Sequence, residues 1–145
     1  MIGLVYLGPR QLAFQELPLP AVGPRDVLVR VKACGICGSD VHGYLGITGR
    51  RTPPMIMGHE FAGVVEALGS AVNEFTLGER VLAIPSSGCG QCEFCRVGRP
   101  EMCAQRKVLG VGTVNGAMAD FVVTPAGSLV RIPDGVSDVE ATMVE

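Results

Sequence analysis

The sequence has no tryptophan and few aromatic residues of any kind. Aromatic side chains make up 5% of the 145 residues, so platforms on which nucleic acid bases could stack are scarce. The charge balance does not indicate binding to a polyanion either, because the formal net charge at pH 7 is −2. We therefore expect a protein that binds no nucleic acid.

Long apolar runs are also missing. The first one, residues 2–7, follows no basic residue and ends at Gly8-Pro9. It is too short for the apolar part of a signal peptide and far too short to span a bilayer. We therefore expect a cytoplasmic protein without membrane association. In that reducing compartment the six cysteines would remain thiols, which bind metals more often than they form disulfides.

Four of the cysteines form a closely spaced quartet with the pattern Cys-x2-Cys-x2-Cys-x7-Cys. They are Cys89, Cys92, Cys95 and Cys103. Four thiolates complete a tetrahedral zinc site and leave no position for a substrate, so we favour a structural zinc. Two alternatives are four reduced cysteines without a metal, and iron bound as in rubredoxin. An iron–sulfur run usually has a shorter last gap followed by proline, whereas Ala104 follows here.

A second, sparser set consists of Cys37 and the adjacent pair His59-Glu60. One thiolate, one imidazole and one carboxylate would leave a coordination position open, as a catalytic zinc requires. The chain has only two histidines, His42 and His59, and His59 is equally explained as a half-buried histidine without a metal. We interpret Cys34 as a small buried apolar residue.

Two patterns point to functions that we do not favour. Residues 110–116 are rich in glycine, but Asn115 breaks the dinucleotide fingerprint and no helical pattern follows, so they indicate a turn. The His59-Glu60 pair is not the HExxH signature of metalloproteases, because Gly63 occupies the position of the second histidine.

Alternating apolar residues predict strands over much of the chain. Residues 26–33 place Val27, Val29 and Val31 on one face. Residues 85–107 keep no periodicity and indicate a lobe that depends on its metal for order, and residues 141–145 indicate a helix that continues. Many short strands with glycine-rich turns predict a mainly β fold, a barrel. Further strands are predicted at residues 2–7, 11–17, 61–68, 80–84, 117–124 and 128–132, with a short helix at 39–45.

These motifs resemble those of the zinc-containing medium-chain alcohol dehydrogenases, closest to the polyol and threonine dehydrogenase branch. The run Gly58-His59-Glu60-x2-Gly63-x5-Gly69-x2-Val72 matches the zinc signature of that family throughout. Residues 34–42 resemble its catalytic-cysteine segment, and the quartet resembles its structural-zinc lobe. The resemblance implies a GroES-like β-barrel catalytic domain over residues 1–145, with short helices and the zinc lobe at about 85–107. It also implies that the Rossmann NAD(P)-binding domain is absent from this chain.

The resemblance further implies a role for individual residues. The catalytic zinc would be held by Cys37, His59 and Glu60, with Glu145 as a fourth or alternating ligand, and the structural zinc by the quartet. By the same resemblance, Ser39 would accept the proton of the alcohol and His42 would pass it to solvent. Asp40 would orient the ligand histidine His59. Tyr44 and Ile47 are expected to line the substrate pocket.

The implied reaction is oxidation of a secondary alcohol or polyol to a ketone by hydride transfer to NAD or NADP. The full-length enzyme would be a homo-oligomer, and this chain alone would be inactive. An alternative of another class is a free-standing, zinc-stabilised binding or interaction module without catalysis, although such a module has no need for Cys37, His59 and Glu60. A nucleic-acid-binding zinc ribbon is disfavoured by the acidic balance and the few aromatics.

Overall fold

The computed structural model describes residues 1–144. Its helices are α1 (Gly38–Tyr44), α2 (Glu93–Arg96) and α3 (Asp138–Ala141), with single turns of 3-10 helix at Pro100–Met102 and Ala126–Ser128. No helix among these residues has the length and apolarity needed to cross a membrane. The strands in chain order are β1 (Ile2–Gly8), β2 (Gln11–Glu16), β3 (Asp26–Cys34), β4 (Met55–Ile56), β5 (Phe61–Leu68), β6 (Arg80–Ala83), β7 (Ser86–Ser87), β8 (Lys107–Val108), β9 (Phe121–Pro125) and β10 (Leu129–Arg131).

A five-stranded antiparallel sheet contains most of the core. Its strand order is β10-β6-β5-β3-β9, so β3 lies between β5 and β9. The alternation seen in the sequence places Val27 and Val29 in the core with no exposed surface, next to Phe61 and Val65 of β5. Burial of such side chains contributes roughly 1.5–3 kcal/mol each. Packing of these side chains therefore stabilises the sheet from which the loops at its ends extend.

A three-stranded sheet, in the order β2-β1-β4, packs beside the larger one. Residues 117–120 connect the two sheets. Met118 O accepts the amide of Leu4 at 2.8 Å, and Asp120 O accepts the amide of Val31 at 2.9 Å. The mainly β, GroES-like class is confirmed, but the sheets formed by residues 1–144 do not close into the predicted barrel, because β9 and β10 lie at the two edges of the larger sheet.

Two boundaries predicted from the sequence are wrong. The predicted strand at 117–124 begins only at Phe121, because the amides of Ala117 and Met118 bond instead to the carbonyls of Gly58 and Met57, each at 2.9 Å. The predicted helix at 141–145 lies earlier, at Asp138–Ala141. Its start is set by a capping box in which Ser137 Oγ accepts the amide of Glu140 at 3.2 Å. The predicted zinc ligand Glu145 lies outside the described residues.

The lobe at 85–107 has little regular structure, as its lack of periodicity predicts. Strands β7 and β8 form a two-stranded pair at its base, in which Ser86 faces Val108 and Ser87 faces Lys107. This pairing brings the two ends of the lobe together. The chain between them forms α2 and one 3-10 turn.

Candidate metal centres and adjoining cavity

The four cysteines of the quartet converge in the structure. Their sulfur atoms all lie within 4.8 Å of one another. Cys92 immediately precedes α2, and Cys103 follows the 3-10 turn and is buried. The backbone amides of Cys89 and Cys92 donate to the sulfurs of Cys103 and Cys89, each at 3.4 Å. Amides directed at sulfur stabilise the thiolate form that binds zinc.

The surroundings of the quartet fit a metal ion bound by four thiolates. A Cβ at Gly88 would lie 2.4 Å from Cys95 Sγ, so only glycine lets that sulfur approach. Hydrogen bonds from the amides of Gln91 and Cys92 lower the pKa of the Cys89 thiol to about 6. Desolvation raises the pKa of Cys95 to about 11. Full deprotonation of the set near neutral pH therefore requires a cation, and zinc binding would release protons.

The second cluster is formed by the other predicted ligands. A sulfur of Cys37, a ring nitrogen of His59 and a carboxylate oxygen of Glu60 lie within 4.8 Å of one another. Sheet register brings them together, because Cys34 at the end of β3 pairs with Phe61 at the start of β5. The amide of Gly35 also donates to Glu60 O at 2.7 Å.

Two glycines make this arrangement possible. A Cβ at Gly35 would lie 2.6 Å from Glu60 Oε2, so glycine provides the space for the carboxylate. Gly58 has φ +92°, and a Cβ there would lie 2.7 Å from Met118 Cγ and 2.8 Å from Cys34 Sγ. The peptide that leads into His59 therefore has a conformation that only glycine adopts without strain. One thiolate, one imidazole and one carboxylate form a donor set that fits zinc with a position left for substrate.

Asp40 connects this cluster to the buried guanidinium of Arg51. Its side chain is 2% exposed, and Oδ1 lies 2.8 Å from Arg51 Nη2 and 3.5 Å from His59 Nδ1. Its other oxygen accepts the Cys37 amide at 3.1 Å. Burial alone would raise the pKa of Asp40, but the hydrogen bond with His59 and the charges of His59 and Arg51 outweigh it and lower the pKa. The carboxylate is therefore ionised and orients the imidazole, with Nε2 on the side of Ser39.

Arg51 was not predicted from the sequence. It is one of two adjacent arginines, and nothing local marks it as buried. In the structure its side chain is 3% exposed, and it also donates to Ser39 O at 2.8 Å. The only available signal is indirect, since a buried aspartate beside a metal site needs a compensating cation.

An open cavity of about 810 Å³ adjoins the second cluster. The Oγ atom of Ser39 lies 3.5 Å from His59 Nε2. Tyr44 and Ile47, predicted to line the pocket, are not among the lining residues; the Tyr44 hydroxyl instead donates to Arg10 O at 3.3 Å. The cavity is lined by Ser39, His42, Thr48, Arg50, Arg51, His59, Arg106, Val108 and Val111.

The glycine-rich segment 110–116 supports the same site. A Cβ at Gly116 would lie 2.1 Å from the carbonyl oxygen of Gly58, and one at Gly110 would lie 2.7 Å from it. Asn115 Oδ1 accepts the amide of Ile56 at 3.0 Å. The segment is therefore a turn packed against the loop that carries His59, consistent with the interpretation from sequence.

Comparison with known proteins identifies the family of the chain. The family model of the alcohol dehydrogenase GroES-like domain matches residues 23–134, and the chain belongs to that family. It is 41% identical over 142 residues to L-idonate 5-dehydrogenase of Vitis vinifera. It is 44% identical over 131 residues to L-threonine 3-dehydrogenase of Rhizobium etli. The structure of an alcohol dehydrogenase from Escherichia coli CFT073, complexed with NADH, superposes with a TM-score of 0.89 at 38% identity.

The matches cover most of this chain but a smaller part of each relative. They include 96% of the chain and 39% of the Vitis protein, and 88% of the chain and 37% of the Rhizobium protein. The Escherichia coli structure matches 99% of the chain and 41% of its own length. The chain thus spans about two fifths of the length of these relatives.

Proposed function

We propose that this chain is the zinc-binding catalytic domain of an NAD(P)-dependent alcohol or polyol dehydrogenase that oxidises a secondary alcohol to a ketone. The observation that carries the proposal is the convergence of Cys37, His59 and Glu60 within 4.8 Å. His59 also lines a cavity together with Ser39 and His42. The names of the relatives, which include an idonate and a threonine dehydrogenase, support a polyol or hydroxy-acid oxidation.

Two zinc ions with different roles belong to this proposal. Cys37, His59 and Glu60 would hold the catalytic ion, which supplies Lewis acidity that lowers the pKa of a substrate hydroxyl. The quartet would hold the second ion in a structural role, because four thiolates leave no open position.

The residues around the cavity have separate roles in proton transfer and in positioning His59. Ser39 relays the proton of the substrate hydroxyl, accepting it at Oγ while its own hydroxyl proton leaves, because that hydroxyl lies at the cavity wall beside His59. His42 lines the same cavity and is exposed, so it takes up the proton that Ser39 releases and passes it to solvent. Asp40 holds His59 in position, and Arg51 pairs with Asp40 while also lining the cavity.

We propose that turnover requires parts of the enzyme beyond these residues. The chain spans about two fifths of the length of its relatives, and residues 110–116, the nearest approach to a dinucleotide fingerprint, pack against Gly58. With zinc, NAD or NADP and sorbitol, this chain alone should form no NADH or NADPH. Measurable formation of reduced cofactor would contradict this part of the proposal.

Cobalt substitution tests the assignment of the open site. Co²⁺ replaces zinc and reports thiolate ligation through its charge-transfer absorption. We expect part of the absorption to be lost in Cys37→Ser and the rest in Cys92→Ser. Cys34→Ser is the matched control, since Cys34 belongs to the same segment but to neither cluster. Sorbitol should perturb only the d–d bands that Cys37→Ser removes. If Cys37→Ser and Cys34→Ser have the same spectrum as the unmodified chain, the assignment is wrong.

A further inference from the structure

We propose that the substrate carries an anionic group, a carboxylate or a phosphate, which Arg50 and Arg106 bind at the cavity shared by Ser39, His42 and His59. This inference rests on the proposed function, because it names the substrate class of the same cavity. Three arginines line that cavity and no aspartate or glutamate does. Its wall is therefore basic in a chain whose net charge is negative.

The excess positive charge comes from two of the three arginines. Arg51 is neutralised by the buried Asp40 at 2.8 Å. A bound zinc ion would be balanced by the Cys37 thiolate and the Glu60 carboxylate. Within residues 1–144, neither Arg50 nor Arg106 forms an ion pair with a carboxylate. The Glu101 carboxylate is close enough to interact with the charge of Arg106 and offsets part of it, whereas the Arg50 guanidinium has no such partner among the described residues and remains fully available to a negatively charged ligand.

Arg50 is held on a fixed backbone. Its carbonyl oxygen accepts the amide of Gly112 at 2.8 Å, and the amide of Thr52 donates to Gly112 O at 3.0 Å. The next residue, Arg51, is anchored by Asp40. The Arg50 side chain is exposed at the cavity wall, so the anchored backbone restricts where its guanidinium can reach.

Arg106 reaches the same cavity from the zinc lobe. Its amide donates to the carbonyl of Cys103, a member of the quartet, at 3.0 Å. Its Nη1 donates to Glu101 O at 3.0 Å, which fixes the side chain and leaves the other guanidinium nitrogens for a ligand. The quartet thus positions a residue of the substrate cavity as well as ordering its own lobe.

Guanidinium groups match the chemistry of carboxylate and phosphate oxygens. Each presents planar N–H donors, two of which can bind two oxygens of one carboxylate or phosphate at the same time. A neutral hydroxyl has only one oxygen and cannot be bound in this way. Because both arginines are exposed, solvent screens their charge and the gain is moderate. A discrimination of about tenfold for an anionic ligand over its neutral analogue corresponds to about 1.4 kcal/mol.

Three probes with the same six-carbon chain test the inference: sorbitol, gluconate and sorbitol 6-phosphate. Each is titrated into the zinc-loaded chain, and binding is followed by amide NMR shifts near Ser39 and Val108. We expect gluconate or sorbitol 6-phosphate to bind about tenfold more tightly than sorbitol at low salt, with the difference decreasing at high salt. The preferred probe identifies the group as carboxylate or phosphate. Equal affinities for all three would overturn the inference.

Charge variants show whether the two arginines are responsible. The double variant Arg50→Gln/Arg106→Gln should remove the discrimination. The control Lys32→Gln/Arg96→Gln changes the net charge equally at exposed positions outside the cavity and should preserve it. If the two double variants behave alike, Arg50 and Arg106 do not bind the anion.

Failure of this inference can be distinguished from failure of the proposed function. If Cys37→Ser leaves the cobalt spectrum unchanged, the zinc assignment fails whatever the probes show. If the zinc site is present but the probes bind equally, only the anionic substrate class is wrong. Discrimination that Arg50→Gln/Arg106→Gln abolishes, together with the cobalt spectrum that Cys37→Ser changes, supports the inference; without the zinc site it shows anion binding at this cavity but not the substrate class.

Discussion

The carboxylate of Asp40 is paired with the guanidinium of Arg51 at 2.8 Å, and both side chains are almost completely buried. Since Asp40 also lies 3.5 Å from His59 Nδ1, the pair fixes the orientation of a proposed zinc ligand. Isolated buried charges are strongly unfavourable, so each partner depends on the other. The pair therefore links the stability of the fold to the geometry of the open site.

Replacing Asp40 tests this link. In Asp40→Asn, Arg51 is left unpaired in a buried position, and we expect a loss of about 3–5 kcal/mol of unfolding free energy. The affinity for the zinc bound by Cys37 and His59 should fall about 10–100-fold, because the imidazole loses its orienting carboxylate. Urea unfolding and competition with a zinc chelator measure the two effects.

The double variant Asp40→Asn/Arg51→Gln serves as the control for that experiment. It removes both charges, so it should recover part of the lost unfolding free energy without restoring zinc affinity. Unchanged stability and affinity in Asp40→Asn would show that the pair has no positioning role.

The conformation of Gly58 leads to a second prediction. Gly58→Ala should destabilise the fold by at least about 2 kcal/mol, since φ +92° is unfavourable for alanine and its Cβ would overlap Met118 and Cys34. Displacement of the adjoining His59 should also weaken zinc binding at the open site. In the control Gly127→Ala the new Cβ meets nothing within 4 Å, and we expect a change below about 1 kcal/mol. Thermal unfolding measures the stability of both variants. A similar loss of stability in Gly58→Ala and Gly127→Ala would contradict this prediction.

Gly88 permits a test confined to the quartet. In Gly88→Ala the added Cβ would lie 2.4 Å from Cys95 Sγ, so the sulfur must move and the quartet should bind zinc more weakly. The zinc held by Cys37, His59 and Glu60 should keep its affinity. Chelator competition that shows one weakened and one unchanged zinc supports this expectation. Two equally weakened zincs would mean that the variant disturbs the whole fold.

Glu79 provides a prediction about pH. Its Oε2 accepts the Thr76 amide at 2.9 Å and its Oε1 lies 3.3 Å from Arg131 Nε. The bond from Thr76 and the charge of Arg131 lower the pKa of Glu79 below its ordinary value of 4.5. The unfolded chain therefore binds more protons in that range, and the contribution to stability is present above pH 4.5 and lost as the pH falls through the folded pKa.

We expect Glu79→Gln to be less stable than the unmodified chain at pH 7, with the difference narrowing below pH 4.5. Urea unfolding at constant ionic strength measures this difference. A difference that does not change between pH 7 and pH 3 would show that ionisation of Glu79 is not its source.

The sequence predicts those parts of the fold that depend on local pattern. The alternation of Val27 and Val29 predicts β3, and the spacing of Cys89 and Cys92 predicts a metal lobe, because both signals lie within a few residues. The pairing of Cys34 with Phe61 joins distant segments, and only the family resemblance anticipates the cluster that it builds.

Other features depend on tertiary contacts that no local pattern records. The partnership of Arg51 with Asp40 belongs to this class, as does the packing of residues 110–116 on Gly58. The last helix begins three residues before the predicted segment 141–145, and the signal for its start is local, since the Ser137 and Glu140 capping box lies within four residues. The open arrangement of the sheets follows from long-range pairing and was not predictable from turn density.

Zinc content per chain, measured by elemental analysis after purification without added metal, is the most direct test of the central claim. We predict two zinc ions per chain, of which Cys37→Ser removes one and Cys92→Ser the other, while Cys34→Ser removes neither. One zinc that is lost only in Cys92→Ser would mean that Cys37, His59 and Glu60 do not hold a metal in this chain. No zinc in the unmodified chain would contradict both metal centres.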